Sequence, residues 1–161
     1  MELYLMQHGM ALDKEKDPAE HLSEEGRLRI QVSARAMNRL GIRPDLILAS
    51  PKERSRETAT IVARELDLPS DRIIETEKVK AMTPPEETLS FLEKYGDRQA
   101  VLITGHLPSL ARIASRLISG GDEVSIRIEN GGILRIDVET PWSGTLHWYL
   151  PPLLLERISR K

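Results

Sequence analysis

The parts of this chain best suited to chemistry are two short apolar runs that each end in a histidine. Leu3-Tyr4-Leu5-Met6 leads into Gln7-His8-Gly9, and Ala100-Val101-Leu102-Ile103-Thr104 leads into Gly105-His106. Runs of this kind read as buried strands that stop at a turn. In open α/β sheets chemistry gathers at the carboxyl ends of such strands. A single strand-end histidine is weak evidence, because a satisfied structural histidine carries the same signature. Two of them, both feeding helix starts, are much harder to obtain by chance. An imidazole there is a candidate nucleophile if one ring nitrogen is unprotonated and a neighbour holds the other as a donor. A backbone carbonyl in the Gly9 turn is one group able to do this.

A third stretch, Ser50-Pro51-Lys52-Glu53-Arg54-Ser55-Arg56-Glu57-Thr58, follows the apolar run Asp45 to Ala49. Ser50 followed by Pro51 reads as an N-cap with proline at the first helical position, opening a helix from Lys52 to about Leu66. Free N–H groups and the dipole make a helix N-terminus a site for phosphate. An arginine one turn in, Arg54, can add a bidentate contact, whereas Arg56 reads as part of a solvated face.

These residues need a scaffold that brings distant positions to one edge. Ser23 reads as an N-cap, with Glu24 and Glu25 in a first turn. Leu28, Val32, Ala36, Met37 and Leu40 recur at helical spacing before the stop signal Gly41. Ile73-Ile74-Glu75 reads as a short strand. Thr83-Pro84-Pro85-Glu86 fits a capping box opening a helix to Tyr95, and Pro108 opens another over Ser109 to Ser119. Beyond Gly120-Gly121 the pattern changes to alternation. Val124 to Ile128, Ile133 to Val138 and Thr145 to Leu150 read as strands joined by turns at Asn130-Gly131-Gly132 and Pro141-Trp142-Ser143-Gly144. The expected fold is an α/β three-layer sandwich over residues 1–161 as one domain. Its central sheet is mostly parallel, with helices on both faces and antiparallel C-terminal edge strands.

Composition limits the function classes. The chain has 161 residues, 40% hydrophobic and 30% charged, which excludes a disordered chain and a membrane span. A net charge of −2 gives no basic field for nucleic acid, and the basic end Arg157 to Lys161 reads as a solvated tail. The absence of cysteine removes disulfides, thiolate nucleophiles and cysteine metal sites. The first strand begins almost at Met1 without a basic-then-apolar leader, so the expected location is the cytoplasm.

Gln7-His8-Gly9, the segment from Ser50 to Thr58, and Gly105-His106-Leu107-Pro108 stand in this order along one α/β pattern. In that order they resemble the histidine phosphatase superfamily, the phosphoglycerate-mutase-like fold. Short length, Leu22-Ser23-Glu24-Glu25-Gly26-Arg27 and Met82-Thr83-Pro84 make the chain most similar to SixA-type phosphohistidine phosphatases. The resemblance implies that His8 accepts the phosphoryl group and becomes a phosphohistidine, that Arg54 grips the phosphate, and that His106 adds a second contact. Phosphoryl transfer asks for positioning and preorganised charge around three equatorial oxygens, and these groups supply it without metal or cofactor.

The chain departs from that family at Gln7, where the first motif begins with arginine. Glutamine can still donate to a phosphate oxygen, but it brings no charge and no guanidinium fork. Larger relatives place a general acid after strand three, where Glu86 and Glu87 stand here, although the capping box offers Glu86 a structural role. A phosphoramidate leaving group needs that acid less than an alkoxide does. From Leu66 to Gln99 there is no insertion long enough for a lid, which suits a phosphorylated protein better than a small phosphorylated substrate. Two rival readings stay open: a phosphate-binding module made non-catalytic by Gln7, and a metalloenzyme using His8, His21, His106 and His147. The second lacks close helical ligand spacing and an acidic cluster.

Overall fold

The computed structural model describes residues 1–139 and 142–161. The apolar runs form strands β1 (Glu2–Gln7), β2 (Leu46–Ala49), β3 (Ile73–Glu75), β4 (Ala100–Gly105), β5 (Ile133–Glu139) and β6 (Ser143–Leu150). They make a six-stranded sheet in the order β3-β2-β4-β1-β5-β6. The four strands from β3 to β1 are mutually parallel, while β5 and β6 are antiparallel additions beyond β1. This is the expected α/β arrangement, a parallel core with antiparallel edge strands.

Successive side chains of a strand point to opposite faces, and in the inner strands both directions are apolar because both faces are covered. Tyr4, Met6, Ile47 and Leu102 face helices α1 (Glu24–Arg39), α2 (Glu53–Glu65) and α5 (Pro152–Ser159). Leu3, Leu5, Leu48, Val101 and Ile103 face α3 (Pro85–Leu92) and α4 (Ser109–Ser119). Ser23 caps α1 by accepting the Gly26 N–H at 3.0 Å, and Gly41, at φ +72°, ends it.

Several local expectations are corrected. On α1 the stripe turned to the sheet is Ile30, Ala34 and Met37, whereas Leu28 is 56% exposed and Leu40 46% exposed. Leu28 and Val32 lie instead beside Pro152 of α5, a helix that takes in Arg157 to Ser159 of the expected solvated tail. Pro152 opens that helix and Leu155 anchors it at 0% exposure. Val124 to Ile128 forms no strand, because β5 already occupies the free edge of β1; the alternation there serves to sink Ile128 into the core. Thr83 does not cap α3. Its hydroxyl donates to the Glu77 carbonyl at 3.0 Å, and Pro84 holds the cap position. Ser50 is not a cap either, since α2 begins at Glu53 with Lys52 at the cap position. Of the expected turn before β6, Pro141 lies outside the described residues.

The loop after His8 is fastened to α1 through one carbonyl: Met10 O accepts both the N–H and the hydroxyl of Ser23, at 2.9 and 3.2 Å. Gly26 lies against that same carbonyl with room for hydrogen only, so an added Cβ would collide with backbone. Gly26→Ala is therefore expected to destabilise the fold by about 1–3 kcal/mol, the usual cost of overpacking. Urea unfolding checks this, and an unchanged midpoint would show that the loop yields freely.

Candidate functional site

Strand register assembles the site. In the β1–β4 ladder Gln7 pairs with Gly105, and in the β2–β4 ladder Ala49 pairs with Thr104. The next residues, His8, Ser50 and His106, therefore leave the sheet side by side at its carboxyl edge. The His8 N–H still donates to Gly105 O at 3.0 Å, and the two imidazoles lie 5.0 Å apart between centroids.

His8 is held from both sides. Its Nδ1 lies 2.6 Å from the Gly9 carbonyl. A carbonyl can only accept, so Nδ1 carries the proton and Nε2 keeps its lone pair. Arg54, at the start of α2, donates Nε–H to that Nε2 at 3.2 Å. The backbone around His8 is held by small polar groups. Thr58 Oγ1 accepts the Gly9 N–H at 3.1 Å, and Asn130 Nδ2 donates to His8 O at 2.8 Å. Ser55 Oγ accepts the Ser50 N–H at 3.1 Å and donates to Thr104 O at 2.6 Å. Ser50 Oγ and His106 Nε2 share a hydrogen bond of 2.5 Å.

Both imidazoles are kept neutral. Burial pushes the His8 pKa below 6.5 and the nearby Arg54 charge adds to this, against the Gly9 carbonyl and Glu20, which favour the proton. Burial lowers His106 to about 3, and the charges of Arg54 and Lys52 push in the same direction. Beside them opens a cleft of about 280 Å³ lined by Lys52, Arg54, Lys80, Ala81, Met82 and His106. Its far wall is in place because Val79 is buried and Thr88 Oγ1 donates to Lys78 O at 2.6 Å.

The structure thus brings together His8, Arg54 and His106, three of the residues singled out in the sequence. Gln7 closes β1 and bonds through its backbone to Gly131 N–H; among the described residues its amide makes no hydrogen bond, and it does not line the cleft. Glu86 does not join the group: its carboxylate lies 3.3 Å from Arg116 on α4. The carboxylate that does is Glu20, whose Oε2 accepts from Arg54 Nη1 at 3.1 Å. Glu20 adopts φ +52°, a left-handed conformation rare for its type. Nothing in the local sequence marked it, since it depends on how the loop folds over α2. Ser50, at a strand end and with the sequence signature of a cap, instead spends its hydroxyl on His106.

The four histidines do not converge. His147 sits on the outermost strand, 3.0 Å from Asp137, and His21 is held by Asp17 at 2.7 Å. His21, Glu53 and Glu57 do bring possible ligand atoms within 4.8 Å of one another, but Arg27 already engages Glu57 at 2.7 Å.

Residues 3–134 match the model of the histidine phosphatase superfamily (branch 1). Over 73 residues the chain is 34% identical to the mitochondrial serine/threonine-protein phosphatase Pgam5 of Drosophila ananassae. That match spans 45% of this chain and only a quarter of that protein's length, 25%. The fold is similar to the protein histidine phosphatase SixA complexed with tungstate, with a TM-score of 0.87 and 23% identity over 96% of this chain and 99% of that one. It is also similar to a putative alpha-ribazole-5'-P phosphatase from Escherichia coli K-12, at TM-score 0.78 and 18% identity over 94% and 98% of the two chains.

The depressed His106 pKa has a consequence for stability. Below pH 6.5 the unfolded chain takes up a proton that the folded imidazole refuses until about pH 3. His106 therefore contributes stability that is complete above pH 6.5 and is lost as the pH falls through that window. Urea midpoints of the wild type should fall between pH 7.5 and 5, and His106→Asn should flatten the fall. Parallel curves for the two proteins would contradict this.

Proposed function

The chain belongs to the histidine phosphatase superfamily, and from that premise we propose that it is a phosphatase working through a phosphohistidine on His8. The observation that carries this reading is the 2.6 Å contact of Nδ1 with the Gly9 carbonyl, which leaves the Nε2 lone pair directed at Arg54. In the first step Nε2 forms a bond to phosphorus while the bond to the leaving group breaks, and the leaving group departs with the electron pair. In the second step water attacks the phosphohistidine, the N–P bond breaks, and inorganic phosphate leaves with Nε2 restored. Arg54 donates to the phosphoryl oxygens, whose charge is greatest in the transition state. His106, neutral at rest and held through Ser50, faces the same oxygens from the cleft wall.

We infer further that the substrate is a phosphohistidine on another protein. The cleft is open to solvent beside exposed Met82, at 70% exposure, so a protein surface can approach it. Glu86 is occupied by Arg116, and an imidazole leaving group tolerates a weak or absent acid. The SixA structure of similar fold is a complex with tungstate, a tetrahedral oxyanion shaped like phosphate, which supports phosphoryl binding by this fold.

With a labile phosphoramidate donor, His8→Ala is expected to abolish turnover and ³²P labelling of the protein. Arg54→Ala should lower kcat/KM by about 10²–10³-fold, the scale for losing one transition-state donor. EDTA should change neither. Turnover that survives His8→Ala, or that EDTA removes, would refute the mechanism.

A further inference from the structure

A phosphoryl group brings a charge of about −1.5 to −2, and the residues nearest His8 do not balance it. His8 and His106 are neutral, and Gln7 carries no charge. Arg54 is the guanidinium in contact with His8, and it is shared with the Glu20 carboxylate at 3.1 Å. Other cations of the neighbouring segments are also committed. Arg27 pairs with Glu57 at 2.7 Å, and Arg56 pairs with Glu53 at 2.9 Å and Glu75 at 3.1 Å. On the cleft wall Lys80 leans on Glu77 at 3.4 Å.

Lys52 differs from all of these. It lines the cleft together with Arg54 and His106, and among the described residues no carboxylate lies within ion-pair distance of it. Its backbone is fixed by the groups that build the site. Its carbonyl accepts the first N–H groups of α2, from Ser55 and Arg56, at 3.0 Å each. Its own N–H donates at 3.4 Å to Ser50 Oγ, the hydroxyl that holds His106. An ammonium on a flexible stem, anchored this way, can reach phosphoryl oxygens as a point charge.

Building on the phosphatase reading above, we propose that Lys52 is a catalytic residue that contacts the phosphoryl oxygens, supplying the positive charge that Arg54 shares with Glu20 and Gln7 does not bring. No proton moves through it. As the Nε2–P bond forms and the leaving-group bond breaks, its N–H groups donate to an equatorial oxygen. The downward push of Lys52 on His106 fits an ammonium held close to the site.

Binding of inorganic phosphate, followed by calorimetry, tests this without requiring turnover, and kcat/KM on a phosphoramidate is read alongside. Lys52 is exposed, so Lys52→Met leaves the core intact. It should weaken phosphate binding and lower kcat/KM by about 10–30-fold at low salt, the scale of one charge-assisted contact. The loss should shrink as salt rises. Lys94→Met, on the 3₁₀ turn after α3, removes equal charge away from the cleft and should change neither quantity. Adding Glu20→Gln to Lys52→Met frees Arg54 and should restore most of the loss. Unchanged phosphate binding in Lys52→Met, or equal losses in Lys94→Met, would overturn the proposal. A wild type that binds phosphate but never labels His8 would defeat the phosphatase reading alone, leaving Lys52 to be judged on the phosphate measurement.

Discussion

The parallel pairing of β1 with β4 is the constraint on which the remainder of the site depends. Gln7 and Gly105 are partners across that ladder, so the residues after them emerge together without any long-range search by their side chains. A slip of one residue would exchange the two faces of a strand. It would drive Leu3 and Leu5 out of one core layer and carry His8 away from His106 in the same movement. Because Leu3, Leu5, Val101 and Ile103 are all 0% exposed, the hydrophobic layers lock the register, and the register places the histidines. The geometry of the candidate site is a by-product of burying aliphatic side chains.

Burial has a second effect at this edge. It withholds protons from His8 and His106, which gives the proposed nucleophile a lone pair but leaves the site short of positive charge. Permanent cations must then do the electrostatic work. A partly buried guanidinium needs partners when no substrate is present, and Arg54 finds them in His8 and Glu20. The same carboxylate that keeps Arg54 satisfied at rest competes with any incoming phosphoryl oxygens. The balance between these demands distinguishes this site from a simple ring of cations.

A layer of small hydroxyl and amide side chains translates the sheet edge into fixed loop geometry. Ser55 and Thr58 lie on the buried side of α2, both at 0% exposure, and tie that helix to β4 and to Gly9. Asn130 reaches across to the His8 carbonyl. Buried polar groups are costly unless paired, and each of these pairs with backbone that would otherwise be loose. This is why Arg54, the second residue of α2, arrives at His8 with a definite orientation.

Apart from Val124 to Ile128, the strand runs were legible in the sequence, as were the helix after Ser23, the helix after Pro108 and the two strand-end histidines. They are local: apolar periodicity, caps and prolines act over a few residues, and a buried parallel strand advertises itself as an uninterrupted aliphatic run. Arg54 was legible because a helix start follows β2 directly. Glu20 was not, since its place depends on a loop folding back onto α2 through the Ala11–Leu22 bridge. Nor could the sequence decide between Ser50 as a cap and Ser50 as the partner of His106, because both roles use the same hydroxyl and only the β2–β4 register separates them. Helix α5 was missed for a related reason: its charged end resembles a tail until Leu155 is seen in the core. Of Arg27 on α1 and Lys52 and Arg56 at the start of α2, only the tertiary arrangement shows which two are spent on carboxylates and which one lines the cleft, because ion pairing is set by proximity in space.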